Sequence, residues 1–139
     1  MIGVLIATHG NLAEEILKSA ELIVGKQDKT MTLGLQHGDC IESFIEKVKK
    51  AILSLNEGDG VIVFVDLFGA SPYNAAAFST KDMCENDFKC ITGVNLPMLL
   101  EALTMRDEYN LHSLTSNCIN EGKLGVKELF NEMNLVRLF

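Results

Sequence analysis

Three reactive side chains stand where a fold could bring them together: His9 in "IATHGN", Asp66 in "VFVDLFG" and Ser71 in "GASPYN". An imidazole beside a carboxylate has a defined chemistry. The carboxylate holds one ring N–H, fixes the tautomer and raises the basicity of the other nitrogen. That nitrogen is then a nucleophile. A serine at the start of a helix stands beside free backbone N–H groups and a partial positive charge, which together receive an anion. A phosphoryl group in transit needs these parts, because most of its catalysis is positioning and electrostatics. Each residue also has a plainer reading. His9 could be a hydrogen-bonded loop residue, Asp66 a strand-end cap and Ser71 a helix N-cap.

Whether the three meet depends on the elements that carry them. Gly3–Ala7 is a continuously apolar run, suited to a strand buried on both faces, and Val61–Val65 is a stronger one that ends at Asp66. Thr30–Leu35 reads as a strand weakened by Gly34, and Phe88–Val94 as a fourth. Between them lie helical stripes: Leu12, Ile16, Ala20 and Ile23, then Ile41, Ile45, Val48, Ile52 and Leu55. Asn11 with Glu14, and Asp39 with Glu42, have capping-box spacing, and Gly25 is a helix stop. Ser71-Pro72 reads as N-cap and first helical residue; Pro97 opens a helix to about Met105, and Asn110 caps another that ends near Gly122. Gly125–Phe130 fits a strand or a short helix.

This alternation predicts one α/β domain over residues 1–139, an open doubly wound sheet of parallel strands. In the order 2-1-3-4 the first and third strands are neighbours, and the order reverses between them. Ligand chemistry in such sheets sits at that switch point, beyond the carboxyl ends of the strands. His9 and Asp66 fall there.

Composition narrows the function classes. The net charge of −7 disfavours nucleic acid and anionic membrane surfaces. No P-loop and no G-x-G-x-x-G is present, and no run reaches transmembrane length or forms a signal peptide, so the expected location is cytoplasmic. Cys40, Cys84, Cys90 and Cys118 match no zinc spacing and read as free thiols. No metal or cofactor is expected. His37 and His112 read as loop and surface residues, and Met98 and Met105 as packing residues.

At "IATHGNLAEEIL" (Ile6–Leu17), "VFVDLFGASPYNAA" (Val63–Ala76) and "GVNLPMLLEAL" (Gly93–Leu103) the chain resembles the IIA component of the mannose family of the sugar phosphotransferase system. The motifs occur in the family's order and span nearly the whole chain. The resemblance implies that His9 is phosphorylated by the phosphocarrier protein HPr and passes the group to a histidine of the cognate IIB component. The membrane permease components IIC and IID are then indirect partners. It implies that Asp66 orients the imidazole, that Ser71 lines the phosphoryl site, and that Thr8 and Gly10 belong to the same turn. Asn74 and Asn95 fall inside the motifs without an assigned role. The resemblance further implies a homodimer whose sheet is completed by an exchanged C-terminal antiparallel strand, which would be Gly125–Phe130 ("GVKELF").

The departures are modest. Ala70 stands where many relatives have a second glycine before Ser-Pro, and no Ala/Pro-rich linker to a IIB domain follows, so the chain resembles a free-standing IIA subunit. Two other readings stand beside this one: a phosphotransfer subunit for a dihydroxyacetone kinase, and a non-catalytic flavodoxin-like module that holds a small anion. A histidine phosphatase fits poorly, because Arg106 and Arg137 are the only arginines.

Overall fold

The four apolar runs pair into a single parallel sheet. In a computed structural model, which describes residues 1–137, these are β1 (Gly3–His9), β2 (Thr30–Leu35), β3 (Val61–Val65) and β4 (Phe88–Ile91), in the order β2-β1-β3-β4. The register sets Ala7 against Val65 and His9 against Leu35, so the carboxyl ends of β1, β2 and β3 form one rim. The helices are α1 (Leu12–Val24), α2 (Ile41–Leu55), α3 (Ser71–Ser79), α4 (Leu96–Met105), α5 (Leu111–Leu124) and α6 (Leu129–Arg137).

Period-two alternation divides the core between the two sheet faces. Val4, Ile6, Ile62 and Phe64 pack against α1, α4 and α5 through residues such as Ala20, Leu99 and Leu114. Leu5, Ala7, Val61, Val63 and Val65 pack against α2 and α3 through Phe44, Val48, Ile52 and Ala75. Both faces are covered, which is why β1 and β3 carry no polar residue in their centres. Each large side chain buried this way contributes about 1.5–3 kcal/mol.

Several local expectations are corrected. Asn11 does not cap α1 with its side chain; the Thr8 hydroxyl, five residues before Ala13, accepts the Ala13 N–H at 2.9 Å. No side chain caps α2, and Asp39 instead accepts the Gln36 N–H at 2.8 Å. Asn95 and Asn110 do cap, accepting the N–H groups of Met98 and Ser113. The fourth strand ends at Ile91 rather than Val94.

The expected strand over Gly125–Phe130 is not formed. Gly125 closes α5 with its N–H on the Glu121 carbonyl, and Leu129 opens α6. The Glu128 carboxylate accepts the N–H groups of Phe130 at 3.1 Å and Asn131 at 2.8 Å, so it caps a segment rich in good helix formers.

At the amino ends of the strands, Arg106 is 4% exposed. Its guanidinium donates to the carbonyls of Ile2, Asp28 and Lys29, to Gln27 Oε1 and to Thr30 Oγ1. It ties the end of α4 to β1 and to the entry of β2. Beside it opens a cleft of about 670 Å³ lined by Asp59, Lys89, Tyr109 and His112. Its charges are paired locally, Asp59 with the terminal ammonium and Lys89 with Glu85.

Candidate active site

β1 delivers His9 to the rim and β3 delivers Asp66 one strand away. His9 Nδ1 lies 2.8 Å from Asp66 Oδ2, and the backbone N–H of His9 donates to the same oxygen at 3.0 Å. An ionised carboxylate only accepts, so Nδ1 carries the proton and Nε2 keeps its lone pair. The imidazole is 48% exposed and the carboxylate 15%, so the nucleophilic edge is presented outward on a half-buried support. Burial alone would raise the Asp66 carboxyl. The ring bond, the backbone N–H and the charge of His9 outweigh it and hold the carboxyl below the usual carboxylate range.

Backbone conformation places the ring. Gly10 follows His9 at φ +56, the left-handed region, and its N–H donates to the Leu35 carbonyl at 2.8 Å. Thr8 is fully buried. Its hydroxyl donates to the His9 carbonyl at 3.1 Å and accepts the Ala13 N–H, so it braces the turn from beneath.

The segment after Asp66 leads into α3. Gly69 takes the left-handed step at φ +78, whereas Ala70 is extended at φ −84 and ψ 178. An alanine fits there without strain, so the departure from two glycines does not disturb the loop. Ser71 is the first helical residue rather than the N-cap, and no side chain caps α3. The N-terminal N–H groups of α3, which begins five residues after Asp66, therefore have no side-chain cap, and Ser71 is the first residue among them. Asn74 donates to the Gly69 carbonyl at 3.2 Å and holds the loop closed. Asn95 has a structural role, donating to the Gly122 carbonyl at 3.0 Å between α4 and α5.

Sequence reasoning missed two features. Leu67 and Phe68 are 61% and 73% exposed, with the Phe68 ring centroid 4.8 Å from that of Tyr73, so an apolar lip follows directly on Asp66. Gln36 donates to Asn11 Oδ1 at 3.0 Å, linking the end of β2 to the turn after His9. The apolar pair after Asp66 was a readable signal for the first; nothing in the spacing of Gln36 and Asn11 announced the second. His37 and His112 are exposed, as expected. All four cysteines are free; burial pushes the thiols of Cys90 and Cys118 up to about 12.

Fold and site together define a doubly wound α/β protein with a carboxylate-held imidazole at its switch point. Residues 3–119 match the family model described as "PTS system fructose IIA component", and the chain belongs to this mannose-type IIA family of the sugar phosphotransferase system. It is 36% identical over 129 residues to the PTS system mannose-specific EIIAB component of Escherichia coli (strain K12), covering 92% of this chain and 39% of that protein. The chain thus spans well under half the length of that relative. It is 34% identical to the PTS system fructose-specific EIIA component of Bacillus subtilis (strain 168), over 84% of this chain and 79% of that one. Among solved structures, phosphotransferase system component EIIA from Streptococcus agalactiae superposes with a TM-score of 0.84 at 26% identity, covering 92% of this chain and 97% of the other.

Proposed function

We propose that this protein is a phosphoryl carrier of the sugar phosphotransferase system, accepting a phosphoryl group from phospho-HPr on His9 and passing it to a IIB component. The observation that carries the reading is the 2.8 Å contact between His9 Nδ1 and Asp66 Oδ2, which leaves Nε2 free at the surface. The Nε2 lone pair attacks phosphorus as the N–P bond of the donor breaks, and the donor imidazole keeps the electrons of that bond. The Nδ1 proton stays on the ring, donated to the Asp66 carboxylate, whose charge offsets the positive charge that the ring gains. The α3 N-terminus and the Ser71 hydroxyl take the phosphoryl oxygens. Thr8 and Gly10 act on the same site by shaping the turn. Transfer to IIB repeats the step in reverse, with a IIB imidazole as nucleophile.

Both partners must reach Nε2, and the exposed lip of Leu67 and Phe68 suits protein docking. Permease components IIC and IID are indirect partners, and the work is done in the cytoplasm. We read the protein as a homodimer, supported by the exposed apolar residues Leu124, Val126, Leu129 and Phe130 at its C-terminal end. Incubation with phosphoenolpyruvate, the general phosphotransferase enzyme and HPr tests the carrier role. Intact mass should show one added phosphoryl group, lost in mild acid and kept in base. No adduct while HPr itself is phosphorylated would favour the anion-binding module.

A further inference from the structure

The turn that carries His9 is held on two sides. Asp66 grips it from β3. From β2 the grip is less direct, and it runs through a residue with no role in the reaction described above. Gly10 donates its N–H to the Leu35 carbonyl. Gly34 lets the strands come this close, because a Cβ on it would collide with the Gly10 carbonyl oxygen. One residue beyond Leu35, the Gln36 side chain donates to Asn11 Oδ1 at 3.0 Å. Gln36 is itself fixed: its N–H donates to the Asp39 carboxylate at 2.8 Å, and its carbonyl accepts the Asp39 N–H at 3.2 Å.

We propose that Gln36 is a positioning residue for His9, acting through Asn11. Gly10 and Asn11 are the only residues between β1 and α1, so freedom there reaches the imidazole directly. Asp66, the Leu35 carbonyl and the Thr8 hydroxyl hold the backbone of the turn, but none of them holds the Asn11 side chain. Gln36 adds that hold from the end of the neighbouring strand, and Asp39 keeps its backbone in place. A nucleophile misplaced by a fraction of an ångström loses rate rather than partner affinity, so the role belongs in kcat and not in KM.

The variants Gln36→Met, which keeps the stem and removes the donor, Asn11→Ala and the double substitution test this. Amide hydrogen exchange at Gly10 and phosphoryl acceptance from phospho-HPr are measured for each. The kinetic readout rests on the carrier function proposed above; the exchange readout does not. Each single variant should speed exchange at Gly10 and lower kcat by about threefold to tenfold, the scale of one hydrogen bond, with KM unchanged. The double variant should match the single ones, because the two side chains act as one link. Wild-type exchange and kcat in Gln36→Met, or losses that multiply in the double variant, would overturn the proposal. A wild-type protein that accepts no phosphoryl group would refute the carrier function instead, and exchange at Gly10 would still decide the brace.

Discussion

At the scale of single residues, one oxygen organises the site. Asp66 Oδ2 receives both the His9 ring and the His9 backbone N–H, so one carboxylate sets tautomer, ring orientation and strand end together. Asp66→Asn keeps the shape but removes the negative charge that holds the Nδ1–H tautomer and offsets the charge the ring gains. Phosphoryl acceptance should fall about tenfold to a hundredfold while the circular dichroism spectrum stays that of the wild type. Unchanged transfer would remove Asp66 from the mechanism. The pH dependence follows with its sign. The folded carboxyl titrates below its ordinary value of about 3.9, so its ionised form stabilises the fold above that value. That stabilisation is lost as pH falls through the lower, folded value. Thermal midpoints measured down the acid limb should therefore drop more steeply in the wild type than in Asp66→Asn. The pair was legible in sequence because both residues end apolar runs that must be adjacent strands. Thr8 was less so: its hydroxyl caps α1 from inside β1, a spacing that the Asn11–Glu14 pattern concealed.

At the scale of elements, burial explains what could be read. β2 and β3 occupy the predicted residues, and β1 and β3 are apolar on both faces because helices cover both. The C-terminal segment was not legible. "GVKELF" alternates weakly, and the Glu128 cap that starts α6 becomes visible only once the backbone is placed. Arg106 escaped for a similar reason: nothing local marks a residue whose acceptors come from Ile2 and from Gln27 to Thr30. Replacing it by methionine strands several buried carbonyls and should cost about 3 kcal/mol in urea unfolding. Arg106→Lys should recover only part of this, since one ammonium cannot span both sets of acceptors. A loss below about 0.5 kcal/mol in the methionine variant would show that the clamp is dispensable.

At the scale of the whole molecule, the chemistry and the surface point the same way. The fold places its reactive group at the switch point and leaves it half exposed, an arrangement suited to exchange between proteins rather than to enclosure of a small substrate. A second apolar region lies at the C-terminal end, where Leu129 and Phe130 project from α6. Sedimentation at micromolar concentration should give about twice the chain mass of 15.3 kDa. Phe130→Asp should shift it toward the single chain, and a wild type that sediments as one chain would contradict the homodimer. The most direct test of the central claim compares wild type and His9→Ala with phospho-HPr under identical conditions, scored by intact mass. The wild type is predicted to gain one acid-labile phosphoryl group and the variant none; an equal adduct on the variant would place the acceptor elsewhere and contradict the account.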